Sequence, residues 1–350
     1  MFLNYYLVTW FIFFESLILA VFSLVSLLIS IAYFTLAERK FIASVQRRTG
    51  PNIVGFWGLL QPLADGLKLV IKEIVVPTSS NHGLFLFAPI LTLILSFSGW
   101  VVIPNSFESY IVDLNLSLMF ILIISALGVY GILFAGWSSN SKYAVLGGLR
   151  SISQMISYEV SISLIILPVI LMSGSLNLID IVYTQINSIW FIFPLLPLSI
   201  IFMISILAET NRTPFDLPEA EAELVAGYNV EYSSIIFAMF FLGEYSNILL
   251  MSSLFVILFL GGWDNVLFFY VFSSELIFSV KISILVFLFI FIRANVPRYR
   301  YDQLMQLGWK IFLPLTLSSF FFCSGILFSF NAIKLKQLHY LDYTYFKFLF

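Results

Sequence analysis

Uncharged, apolar runs long enough to cross a bilayer recur through the whole sequence, and they restrict its fold more than any other feature. A spanning helix needs about 20 mainly apolar residues. Runs of that order lie near 11–37, 83–104, 114–136, 159–179, 186–208, 232–262, 266–292 and 311–333. The expectation is an all-α membrane protein, a bundle of about eight transmembrane helices forming a single polytopic domain over residues 1–350. The sequence is 61% hydrophobic and 10% charged, whereas a soluble domain carries about 25% charge. The opening MFLNYYLVTWFIFFESLILA has no basic stretch and no small-residue cleavage site. It reads as the start of the first span rather than a removed signal.

The basic residues orient the bundle. Arg39, Lys40, Arg47, Arg48, Lys68, Lys72, Lys142, Arg150, Arg212, Arg293, Arg298, Arg300 and Lys310 all fall in or beside the odd-numbered connections, thirteen of the 17 Lys and Arg. By the positive-inside rule these connections face the matrix or cytoplasm. Lys334, Lys336 and Lys347 in the tail lie opposite, a mild exception. Within the first connection, a helix is expected from about Gln61, with Pro62 suited to its first turn. Gln61, Asp65, Lys68 and Lys72 share one stripe, and Leu60, Leu63, Leu67, Val70, Ile71 and Ile74 the opposite one. That is an amphipathic interfacial helix lying on the membrane surface or against another span's end. Gly147 and Gly148 in the third connection are read as a tight re-entry, after which Glu159 opens the fourth span.

Several chemistries find no support. One cysteine, Cys323, rules out internal disulfides and any iron–sulfur cluster held by this chain's cysteines alone. His82 and His339 are too few and too far apart for a metal site. No glycine-rich nucleotide motif occurs, and a net charge of −2 gives no argument for nucleic acid.

Carboxylates are concentrated where they cost most. Glu209, Asp216, Glu219, Glu221, Glu223, Glu231 and Glu244 account for seven of the 19 acids, with Arg212 as their only basic neighbour. Pro214 and Pro218 prevent a continuous helix from Glu209, and a helix can restart after Pro218. A charge at the centre of a bilayer costs roughly 2.5–3.5 kcal/mol, so Glu159 and Glu244 are expected to face the bundle interior or water. Carboxylates so close together titrate as a coupled set. A solvated acidic loop accounts for the run between the spans, but not for Glu244 inside one. Glu275 and Lys281, six residues apart, do not face each other on a helix. Each needs a separate partner, and Glu275 is placed near the outer end of its span.

Four stretches carry a resemblance: AERKFIASVQRRTGPNIVGFWGLLQPLADGLKLVIKE, AGWSSNSKYAVLGGLRSISQMISYE, AETNRTPFDLPEAEAELVAGYNVEYS and RANVPRYRYDQLMQLGWK. In order and spacing, from about Glu38 to Pro314, they resemble the chain 1 family of respiratory complex I, NADH:ubiquinone oxidoreductase, which includes the bacterial counterparts of that chain. The resemblance implies a membrane component that anchors the peripheral redox arm and forms much of a quinone cavity, with ubiquinone as substrate. It places Glu38, Arg39, Gln46, Arg48, Asp65, Arg212, Asp216, Phe241, Arg293 and Arg298 in or near that cavity. It places Glu159, Glu209, Glu219, Glu221, Glu223, Glu231 and Glu244 on a proton path. Flavin, NAD and iron–sulfur clusters would sit on partner subunits, among them the quinone-site subunits of the peripheral arm and the adjacent small membrane subunits. No catalytic residue is assigned. The implied location is the mitochondrial inner membrane, to which the 39 phenylalanines also lean, with a bacterial plasma membrane as the alternative.

Three other readings compete. A related hydrogenase-type complex uses a similar membrane subunit. A stand-alone ion or solute transporter would use Glu159, Glu244 and Lys281, but no pair of broken helices in matching halves is visible. A purely structural anchor would use the odd connections as docking surface only.

Overall fold

The computed structural model describes residues 2–107, 109–216, 227–265 and 273–329, with side chains from 17 onward. Glu219, Glu221 and Glu223, the helix restart after Pro218, and the tail from 330 lie outside the described residues. Every regular element described is helical, as expected. In chain order these are α1 (Phe2–Val45), α2 (Gln61–Ile71), α3 (His82–Ser98), α4 (Ser117–Ser138), α5 (Lys142–Ser173), α6 (Leu178–Ile186), α7 (Leu196–Glu209), α8 (Ser234–Phe259), α9 (Ser274–Asn295), α10 (Tyr301–Gln306) and α11 (Leu313–Ser329). A π-helical turn, Leu307–Phe312, joins the last two. Among the described residues, seven helical stretches are long and apolar enough to cross a membrane.

α8 is the post around which the others stand. Every residue from Ile248 to Phe259 is buried, and α1, α2, α3, α6, α7 and α9 all pack on it. A helix that is apolar on all sides belongs in a core. Its serines turn their hydroxyls back onto the helix, Ser252 onto Leu249 O and Ser253 onto Leu250 O, both at 2.7 Å. The backbone thus supplies partners that lipid and core cannot.

The run predicted as a span over 186–208 is broken. α6 ends at Ile186, and the chain passes through 187–195 before α7 starts with Pro197 in its first turn. At ~1.5 Å per residue, the 14 residues of α7 reach about 21 Å, short of a hydrocarbon core of about 30 Å. Buried Gln185 secures the break. It donates to Ile257 O at 2.8 Å and accepts from Phe191 N at 3.3 Å and Gly261 N at 3.0 Å. Phe191 and Leu195 of this segment are buried against the bundle, whereas 187–189, Phe193 and Pro194 are exposed.

The re-entry expected at Gly147 and Gly148 does not form. Both glycines lie inside α5, so Glu159 sits mid-helix rather than at a span's start. The pair serves close packing instead: a Cβ on Gly147 would lie 2.6 Å from the Gly227 Cα, and one on Gly148 3.5 Å from the Gly136 Cα. Small residues let backbones approach in membrane bundles. The same helix ends earlier than predicted, where Gly174 takes the left-handed conformation (φ 72°) that closes a helix. Asn177 then caps α6 by accepting from Ile179 N at 2.9 Å.

α2 forms where its pattern predicts, with Leu63, Leu67 and Val70 each more than three-fifths exposed. Glu275 lies exposed in the first turn of α9. Lys281 finds its partners at the end of α8: its amine donates to the carbonyls of Leu260, Gly262 and Asp264 at 2.8, 2.9 and 3.0 Å. It also stands 4.6 Å over the Trp190 ring, whose indole N–H bonds Asp264 at 2.8 Å. A cation at a helix C-terminus completes its unpaired carbonyls, so this intramembrane lysine is a lock between loops.

Two stability predictions follow from these contacts. Lys281→Met orphans three carbonyls and is expected to destabilise by roughly 1–3 kcal/mol, read as a lower thermal midpoint of the purified complex, with Glu275→Gln unchanged. Gly147→Ala, pressed on backbone, is expected to reduce the assembled complex on native gels, whereas Gly325→Ala, with open space around it, is not.

Candidate functional site

α1 presents Ile31, Thr35, Glu38 and Ile42 at spacings of four, three and four, which places them on one helical face. α8 presents Phe237, Phe241 and Tyr245 one turn apart. Between these faces, α2 and Arg293 of α9 lies a cavity of about 490 Å³. α2 contributes Pro62, Asp65, Gly66 and Leu69. The lining is apolar and aromatic for most of its area, with charge confined to Glu38, Arg39, Asp65 and Arg293. Volume and lining match what small-molecule sites use.

Glu38 is only 6% exposed although it carries an acid into a spanning helix. Three groups answer it. The Tyr245 hydroxyl donates to Oε2 at 2.6 Å, Arg293 pairs with Oε1 in a direct hydrogen bond, and Arg212 stands 3.8 Å from the same Oε1. The Arg212 guanidinium also lies 4.3 Å above the Tyr245 ring. Nearby, Arg39 pairs with Asp65 at 2.6 Å, and Gln61 donates to the other Asp65 oxygen at 2.9 Å. Both partners of that pair are substantially exposed, so it contributes little to stability.

Arg212 reaches Glu38 because the loop after α7 is tightly held. Buried Gln154 of α5 donates to Ala208 O at 2.8 Å and to Phe215 O at 3.0 Å. Asp216 pairs with Arg298 at 3.2 Å, Tyr299 N donates to Pro214 O at 3.0 Å, and the Phe215 and Tyr299 rings stack at 5.5 Å. The middle of the 208–233 stretch, 217–226, lies outside the described residues.

The other face of α8 borders a smaller cavity of about 60 Å³, lined by both Glu209 and Glu244 together with Ser96, Ser125, Thr210, Tyr228 and Asn247 among others. The Tyr228 hydroxyl donates to Oε1 of Glu244. Glu209 is buried, and its Oε2 has no hydrogen-bond partner among the described residues. Glu159, half-buried on α5, lies within electrostatic reach of Glu209.

A sequence profile of the NADH dehydrogenase family matches residues 18–324. The chain is 59% identical over 308 residues to the NADH-ubiquinone oxidoreductase chain 1 of Chondrus crispus, covering 87% of this chain and 94% of that one. It is 56% identical over 308 residues to the chain 1 of Arabidopsis thaliana, with the same coverage. It is 53% identical over 307 residues to an NADH-quinone oxidoreductase subunit of Rhodospirillum rubrum, covering 87% and 91%. The chain belongs to the NADH dehydrogenase family. It is a multi-pass membrane subunit of the respiratory complex I type, part of an enzyme.

Within this family member the structure gathers Glu38, Arg39, Asp65, Phe241 and Arg293 around one cavity, with Arg212 behind Glu38. Asp216 and Arg298 pair on the adjoining loop. Gln46 and Arg48 lie exposed past α1's last turns and do not line the cavity. Glu209 and Glu244 share the smaller cavity, while Glu159 and Glu231, both half-buried, do not line it. Sequence reasoning missed Tyr245, Tyr228 and Gln154. Tyr245 was within reach, since it lies one turn beyond Phe241 on the same face. No group of three or more potential metal ligands occurs among the described residues.

The loop's dependence on one amide can be checked. Gln154→Leu leaves the Ala208 and Phe215 carbonyls buried without that donor, at a cost of roughly 1–3 kcal/mol each. The expected outcome is faster proteolytic cutting within 208–233 and a lower thermal midpoint of the assembled complex.

Proposed function

We propose that this protein receives ubiquinone in the larger cavity and passes the consequence of its reduction to the acid-lined cavity behind α8, coupling quinone chemistry to proton translocation. The observation that carries the reading is the cluster of buried Glu38, Arg212 and Tyr245 with half-buried Arg293, opening onto an aromatic cavity of about 490 Å³. Quinone reduction takes up two electrons and two protons, so the charge of the cavity's contents changes during turnover. A carboxylate held between two arginines feels that change strongly in a low dielectric. The isoprenoid tail suits the Phe237–Phe241 wall, and the headgroup suits the charged groups.

Two short links join the cavities. Glu209 lines the small one, and Arg212, three residues on, touches Glu38. On α8, Glu244 faces one cavity and Tyr245 the other. The small cavity has room for roughly two to four waters, enough to connect Glu209 with Glu244. Glu159, Glu231 and the acids Glu219, Glu221 and Glu223 extend this path in our reading.

Electrons are supplied by an iron–sulfur cluster of a neighbouring peripheral-arm subunit, and flavin and NAD sit farther along that arm. This chain anchors the arm through its basic odd-numbered connections, which face the matrix of a mitochondrial inner membrane. α2 rests its apolar face on the lipid surface. The small membrane subunits adjoin the acid path.

Glu209→Gln tests the coupling. Quinone-dependent proton translocation is expected to fall at least about tenfold, as for loss of a proton-transferring group, while NADH oxidation by an artificial acceptor at the peripheral arm stays intact. Undiminished translocation removes Glu209 from the path.

A further inference from the structure

We infer that Tyr245 is the positioning residue that fixes Glu38 for the quinone reaction and ties it, through its chain neighbour Glu244, to the acid-lined cavity. The inference rests on the reading of the larger cavity as the quinone site. α8 passes between two tyrosine–carboxylate hydrogen bonds. On one side Tyr245 donates to Glu38 Oε2 at 2.6 Å, and on the other Tyr228 donates to Glu244 Oε1. Glu244 and Tyr245 are consecutive, so their side chains leave the helix about 100° apart, one into each cavity.

The assignment of oxygens on Glu38 gives Tyr245 its role. Both arginines approach Oε1, and Tyr245 alone among the described residues bonds Oε2. The two cations could hold the carboxylate over a range of rotations, and the hydroxyl selects one. The ring itself cannot swing freely. Phe34 of α1 packs edge-on against it at 5.2 Å, and Arg212 covers a face at 4.3 Å. Keeping the Tyr245–Glu38 bond when Glu38 shifts therefore requires α8 to follow. Tyr228 does not belong to α8: it follows Gly227, whose backbone is pressed against Gly147 of α5. Movement of α8 at Tyr245 accordingly changes the Tyr228–Glu244 distance across the other cavity. A charge change beside Glu38 and a change in the partners of Glu244 become two readings of one helix displacement.

The test uses the assembled complex in its own membrane, with a short-tail ubiquinone analogue as acceptor. Tyr245→Phe keeps the ring and its packing and removes only the hydroxyl. The KM for the analogue is expected to rise about tenfold, the order of a hydrogen bond to a charged group, with artificial-acceptor reduction unchanged. In a Glu38→Gln background the same change is expected to add less than about twofold, because the hydroxyl acts through the carboxylate. Glu244→Gln is expected to alter the KM when Tyr245 is present and not in Tyr245→Phe, as coupling between sites requires. Full additivity with Glu38→Gln overturns the positioning role, and full additivity with Glu244→Gln overturns the link. Phe241→Ala separates this inference from the site reading. If it leaves the KM unchanged, the cavity is not the quinone site. If it raises the KM while Tyr245→Phe does not, the site stands and the role of Tyr245 falls. Should Tyr245→Phe lower assembly, Glu38→Asp, which withdraws the carboxylate from the hydroxyl, carries the same expected rise, and its absence overturns the inference.

Discussion

A carboxylate inside a spanning helix is the constraint on which the rest of this bundle depends. Glu38 cannot be left to lipid, and the groups that answer it come from far along the chain. Tyr245 and Arg293 are 207 and 255 positions away. Satisfying one acid therefore fixes α1 against α8, brings the end of α9 alongside, and draws the loop after α7 inward so that Arg212 can approach. Breaking a buried pair by removing one partner costs about 3–5 kcal/mol, so the arrangement is costly to leave half-made. The aromatic cavity is the space between helices that this cluster holds at a set distance.

The spans were legible because lipid demands length and apolarity, and both are linear properties of sequence. Where the prediction failed, the deciding contacts were tertiary. The run over 186–208 shows no charge to mark its break, which is braced by the hydrogen bonds of Gln185 to Phe191 and to the end of α8. Gly147 and Gly148 look like a turn in isolation. In the bundle their missing side chains admit Gly227 and Gly136, and the helix runs straight through. Lys281 was visible as an anomaly, but its partners are backbone carbonyls, which no sequence pattern marks.

The site was legible in its charges and opaque in its neutral groups. In a chain that is only 10% charged, each intramembrane Glu or Arg stands out, and the family resemblance sorted them into a quinone-cavity set and a proton-path set; Glu38, Arg39, Asp65 and Arg293 of the first line the larger cavity, and Glu209 and Glu244 of the second the smaller. Tyr245 and Tyr228 are two of 17 tyrosines, and a tyrosine becomes informative only when an acid is found beside its hydroxyl. Gln154 acts on the loop through main-chain acceptors and leaves no sequence partner to search for. The one signal available was helical spacing from Phe241 to Tyr245, which follows once Phe241 is placed on the cavity wall.

Glu38 and Glu209 are the same residue type in two contrasting surroundings. Glu38 meets two guanidinium groups and a hydroxyl, so both its oxygens are engaged. Glu209 is equally buried, yet its Oε2 is left without a partner among the described residues, it lines a small cavity together with Glu244, and the acid Glu159 lies within electrostatic reach. The first environment resists change and is suited to sensing charge in the adjoining cavity. The second is incomplete by construction and is suited to exchanging partners. Only Thr210 and Asn211 separate Glu209 from Arg212, so Glu209 and the arginine that approaches Glu38 sit at the two ends of one short, tightly bonded turn. In the coupling proposed above, that adjacency, rather than the number of acids in the stretch, is what would let the loop after α7 carry an event from one cavity to the other.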